Sequence, residues 1–108
     1  YARKRKFYED TYPGFYDAEL RQLFAAPAGM KASSYLRARR RRLLNAVCQW
    51  TNEKKYRVNE LLTRLIERCD HLGLRAHNDD PQQEFRISAY ITTLVMNYLF
   101  TGKFKRTK

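Results

Sequence analysis

The chain has 108 residues, 44% of them apolar, which suits one domain built on one core. Lys and Arg number 22 against 11 acids, for a net charge of +11 and a pI near 10.0. A positive field of that size points to a polyanion as partner, nucleic acid first, because self-repulsion opposes the compact chain until an anion relieves it.

No apolar run is long enough to span a bilayer and no signal-peptide pattern is present, so no membrane partner is expected. The chain does not begin with Met, which fits a processed or excised piece of a longer protein. Cys48 and Cys69 are too few for a disulfide framework. They fit a reducing intracellular compartment, cytoplasm, nucleoid or nucleus.

Residues 1–16 read as a basic and aromatic arm. Arg3, Lys4, Arg5 and Lys6 precede Phe7, Tyr8, Tyr12, Phe15 and Tyr16, and Pro13-Gly14 marks a turn. Such a mixture can hold phosphates and stack bases, or dock its aromatics on the domain's own core.

Residues 17–102 read as a single helical domain. The first helix is predicted from Asp17 to Ala25 or Ala26, with Leu20, Leu23 and Phe24 on one face and Asp17 and Glu19 in its first turn. Pro27 and Gly29 end it. The second helix is predicted from Ser33 or Ser34, either of which can cap it, to Trp50 or Thr51. Its apolar stripe is Leu36, Leu43, Val47 and Trp50. Arg37, Arg39, Arg40, Arg41 and Arg42 wrap its middle, and Arg40, beside Leu36, Leu44 and Val47, must snorkel or meet an acid.

After a polar break from Asn52 to Lys55, the third helix is predicted over Val58 to Leu72, with Val58, Leu61, Leu62, Leu65, Ile66, Cys69 and Leu72 in one stripe. Gly73 is its natural cap. Cys69 on that stripe reads as a buried thiol. Arg75 to Asp80 reads as a polar loop. Asp80-Pro81-Gln82-Gln83 then opens a last helix, with Asp80 as cap, Pro81 at the first position and Gln83 closing a capping box. From Ile87 to Gly102 no residue is charged. That describes a central buried helix or a homodimer interface through Ile87, Ile91, Leu94, Val95 and Tyr98. Lys103, Lys105, Arg106 and Lys108 form a basic C-terminal tail over 103–108.

The expected fold class is therefore all-α, a small domain of three to four helices with basic tails and a possible helix-turn-helix. The alternative is a winged helix with a C-terminal β-hairpin, in which the alternating Phe85, Ile87 and Ala89 pair with Leu72 to Ala76. In the helix-turn-helix reading, Asp17 to Ala25 is the first helix, Ala26 to Gly29 the turn, and the helix starting near Met30 to Ser34 enters the major groove. Lys31, Ser33, Ser34 and Arg37 would reach base edges, while Arg39, Arg41 and Arg42 would hold phosphates. An ordinary helical hairpin with a charged exterior has the same pattern. Lys54 and Lys55 join the arm and the tail as further candidate nucleic-acid contacts.

No cofactor, metal or catalytic residue is expected. Cys48, Cys69, His71 and His77 lack the short pairing that orients a zinc site. No Gly-rich phosphate loop or Gly-x-Ser-x-Gly elbow is present, and Asp79-Asp80 suits a helix cap better than a metal. No string of a known RNA-binding module occurs. The expected function is an accessory or regulatory protein that binds double-stranded DNA through the arginine-rich helix. A structural RNA-binding component of a ribonucleoprotein or virion, and a helical module for an acidic protein partner, are the alternatives.

Overall fold

A computed structural model describes residues 15–101, with side chains through Asn97. In chain order it contains α1 (Asp17–Leu23), β1 (Met30–Lys31), α2 (Ala32–Ala38), α3 (Arg40–Thr51), α4 (Lys55–Leu72), β2 (Arg75–Ala76) and α5 (Pro81–Thr101). The all-α class holds, with one two-stranded antiparallel ribbon added.

The apolar stripe of α4 organises the core. Val58, Leu61, Leu62, Leu65, Ile66 and Cys69 are all buried, one side of an 18-residue helix, because residues three and four apart stack on one face. The helix begins three residues before Val58. It ends as its Gly predicts: Gly73 has φ 68°, its N–H donates to the Asp70 carbonyl, and the Leu74 N–H donates to the Cys69 carbonyl. Those two bonds make a Schellman cap, which needs a left-handed residue where a side chain would be strained. The same core takes in Leu20 and Phe24 of the α1 segment, Tyr35 and Leu36 of α2, Leu43 and Val47 of α3, and Ile87, Ile91, Leu94 and Val95 of α5, with α2 and α3 packed on α4 and α5 packed on α3.

The second predicted helix is two helices. It starts at Ala32, where Lys31 occupies the cap position without a side-chain bond, so neither serine caps it. The Ala32 N–H is met instead by the Leu74 carbonyl at 2.9 Å. At Arg39 the backbone turns to φ −109°, ψ 12°, and α3 begins on the next residue. Trp50 keeps the phase of Leu43 but lies in the last turn of α3, where none of the described residues covers it; it is 75% exposed.

The hairpin alternative does not hold. Arg75–Ala76 leaves the expected polar loop to pair with Met30–Lys31, in the register Met30 with Ala76 and Lys31 with Arg75, while Phe85 to Ala89 is helical. Gly29 is what permits this pairing. A Cβ there would stand 2.1 Å from the Ala76 carbonyl oxygen, closer than any side chain can approach.

Asp80 caps α5 as predicted, accepting from the Gln82 N–H at 3.0 Å, with Pro81 at the first helical position. Gln83 does not close a capping box. It is fully buried, donating its amide to the Leu23 carbonyl and accepting from the His77 N–H. A buried amide holds its place only when its polar atoms are paired, so Gln83 pins the end of α1 and the 77–80 loop to α5.

Ile87, Ile91, Leu94 and Val95 are at most 7% exposed, in this chain's own core. The homodimer contact expected through these four is thereby corrected: they are already buried within this chain, with α3 and α1 packed against their helix. Tyr98's side chain lies outside the described residues.

Candidate nucleic-acid interface

The five arginines between 37 and 42 fall on either side of the break at Arg39, and their environments separate them. Arg39 lies flat on the ring of buried Tyr35, its guanidinium carbon 3.8 Å from the ring centroid, and its Nε stands 3.5 Å from Glu84. Burial raises the Tyr35 phenol pKa, against the opposing pull of Arg39. Arg42 forms a two-point pair with the same carboxylate, at 3.1 and 3.0 Å. Arg40 meets no acid among the described residues. Turned toward α4, it donates to the Asn59 side-chain oxygen and the Thr63 hydroxyl, which satisfy the guanidinium without neutralising it. Arg37 and Arg41 are exposed and have no ion-pair partner among the described residues. Thus, among the described residues, one carboxylate meets two of the five guanidinium groups, and the cluster keeps a positive excess.

Several other acids among the described residues pair away from the cluster. Asp17 holds Arg68 by two bonds, at 2.9 and 3.1 Å, tying α1 to α4. Glu67 pairs with Arg64, and Asp80 stands 3.5 Å from Arg86. Asp70 accepts from Ser33. Exposed acids collect on α4, at Glu60, Glu67 and Asp70, whereas α3 carries none.

Of the residues read as base contacts, Lys31, Ser34 and Arg37 are exposed. Ser33 is not: it is 3% exposed and its hydroxyl donates to Asp70 at 3.2 Å, because the first turn of α2 faces α4. That position is corrected to a packing residue. The whole N-terminal end of α2 is docked, through Ser33, the Leu74 carbonyl and the strand pair. Lys54 and Lys55 are exposed at the corner between α3 and α4, as are Trp50 and Tyr56. Arg3, Lys4, Arg5, Lys6, Lys103, Lys105 and Arg106 lie outside the described residues.

Two residues on this surface escaped the sequence reading. Asn45 and Gln49 are exposed on α3 and their amides meet no partner among the described residues. Counting 100° per residue from Leu43 and Val47 would have placed them on the outer face. Glu84 was also missed, and no local pattern marks it, since it lies 42 residues from Arg42.

Among the described residues no group of three His, Cys, Asp or Glu is placed to hold a metal ion. No described helix is long and apolar enough to cross a membrane. Both cysteines are free. Burial pushes the Cys69 thiol up to about 12, with Asp70 adding to the effect. No protein-family model, curated protein or solved structure matches the chain.

Proposed function

We propose that the chain binds nucleic acid, double-stranded DNA ahead of RNA, as an accessory or regulatory factor, using the arginine surface of α2 and α3. One observation carries the reading: the guanidinium groups of residues 37–42 meet a single carboxylate, Glu84, among the described residues. Had those groups been neutralised within the molecule, the charge would have had a structural purpose. Left over, it favours an external polyanion. The flanks 1–14 and 102–108 add eight of the 22 cations against two acids.

Duplex DNA is favoured by shape. Helix α3 has 12 residues, about 18 Å of length at 1.5 Å per residue, with an exposed outer face. The B-form major groove admits a helix, whereas the A-form groove of RNA is too deep and narrow for one.

A salt titration against a defined duplex and a structured RNA of equal length tests this. Binding to the duplex should weaken linearly in log affinity with log salt, at a slope of about −0.9 per phosphate neutralised. Preferential binding of the RNA would move the reading to the ribonucleoprotein alternative. Absence of sub-micromolar binding to either at physiological salt would leave an acidic protein as the partner.

A further inference from the structure

We infer that α3, not the amino end of α2, is the helix that reads sequence, and that Arg41, Asn45 and Gln49 are its base-contacting residues. The inference rests on the DNA reading above and assigns its specificity.

Geometry sets the three apart. Leu43 and Val47 mark the buried side of α3. At 100° per residue, Asn45 lies about 180° from their mean direction, with Arg41 and Gln49 about 40° to either side. All three are exposed and none has a hydrogen-bond or ion-pair partner among the described residues. They succeed one another every four residues, about 6 Å along the axis. Base pairs follow at about 3.4 Å, so each step spans roughly two of them.

Chemistry makes the stripe a reader rather than a generic cation patch. A guanidinium presents a two-donor fork to the O6 and N7 acceptors of guanine. The Asn and Gln amides each present one donor and one acceptor, the complement of adenine N7 and N6. Asn and Gln amides can also donate to phosphates, but only at an adenine edge are their donor and acceptor both used. Exposed cations flank them along the chain: Arg42 on the same helix, Arg37 and Lys31 before the break, Lys54 and Lys55 after it. That is the division expected of an interface in which phosphate contacts set register and amides and guanidinium read bases.

The fold favours α3 over the rival. The amino end of α2 is held against β2 and α4 by the Ala32–Leu74 and Ser33–Asp70 bonds, which leaves only Lys31 and Ser34 as exposed polar side chains there. The break at Arg39 makes α3 a separate helix, whose face opposite Leu43 and Val47 is exposed at Arg41, Asn45 and Gln49.

The test is selection from a pool of randomised duplexes by the full chain and by Asn45→Ala and Gln49→Ala, with thermal melting to show that both variants fold. The unaltered chain should enrich a short motif containing adenine. Each variant should relax one position of that motif, the two lying about two base pairs apart, by roughly 5- to 150-fold in discrimination. Affinity for bulk duplex should stay within about twofold. If the unaltered chain binds duplex but enriches nothing, or both variants enrich the same motif, the stripe is no reader, while the nucleic-acid reading stands. If the chain selects structured RNA over duplex, this inference fails and the RNA alternative replaces the DNA one. If it binds neither, both readings fail.

Discussion

Glu84 holds Arg42 by two hydrogen bonds, Oε2 accepting from Nε at 3.1 Å and Oε1 from Nη2 at 3.0 Å. It is the one carboxylate that reaches the arginine cluster among the described residues, and it stands where a phosphate would compete with it. The Glu84→Gln variant should therefore bind duplex DNA more tightly, because two guanidinium groups lose their internal anion and the groove loses a repelling charge. Stability should change little, about 1 kcal/mol or less, since the Arg42 side chain is 66% exposed and surface pairs contribute little. Weaker DNA binding by this variant, measured at fixed salt, would mean that Glu84 orients the arginines rather than restraining them.

Arg37 and Arg39, two residues apart, should behave oppositely. Arg37→Gln removes an exposed charge with no partner among the described residues. It should lower the salt slope by about 1, weaken all sequences alike and leave the melting temperature unchanged. Arg39→Gln loses the Tyr35 stack and the Glu84 pair, and should cost about 1–2 kcal/mol of folding stability in urea titration. Equal melting losses from the two would show that the exposed arginine is also structural.

Gln83→Leu tests the buried amide. The substitution keeps much of the volume but leaves the Leu23 carbonyl and the His77 N–H without their partner. Each group so orphaned costs roughly 1–3 kcal/mol, so the variant should be among the more destabilising single changes, alongside Leu65→Ala at about 2–5 kcal/mol. Hydrogen exchange at the His77 amide should rise first.

Gly29→Ala should separate β1 from β2. The added methyl meets a backbone oxygen rather than a flexible side chain, so the clash is relieved only by moving a strand. Loss of protection at the Ala26 and Ala32 amides, which donate to Arg75 and Leu74, would report it. Unchanged protection at both would show that the loop yields instead.

The two thiols should differ in reactivity. Cys69 is fully buried and its pKa is pushed to about 12 from an ordinary 9.0. Alkylation at pH 8 should therefore label half-buried Cys48 well before Cys69, whose modification should follow unfolding. The raised folded value means that the unfolded thiol ionises first. The Cys69 contribution to stability is thus full below about pH 9 and declines as pH rises toward 12. A Cys69→Ala variant should flatten that alkaline decline. An unchanged decline would assign it to other groups.

What the sequence determined by itself was whatever short-range spacing encodes. Seven apolar residues at helical spacing, Val58 to Leu72, can be buried only as one face of one helix. The Gly73 cap, the Asp80-Pro81 start and the helical class follow from equally local chemistry. Net charge was likewise legible, because it is a sum that folding does not alter. Tertiary structure decided everything that depends on which distant groups meet. Arg37 and Arg39 are alike in sequence, yet the first has no ion-pair partner among the described residues and the second is stacked, because only folding brings Tyr35 and Glu84 to the second. Ser33 and Ser34 are adjacent and identical, and the packing of α2 on α4 alone buries the first. The apolar run of α5 had two local solutions, core or interface; the helices that fold back over Ile87, Ile91, Leu94 and Val95 chose the core. Burial and pairing are relations between remote segments, and no window along the chain contains them.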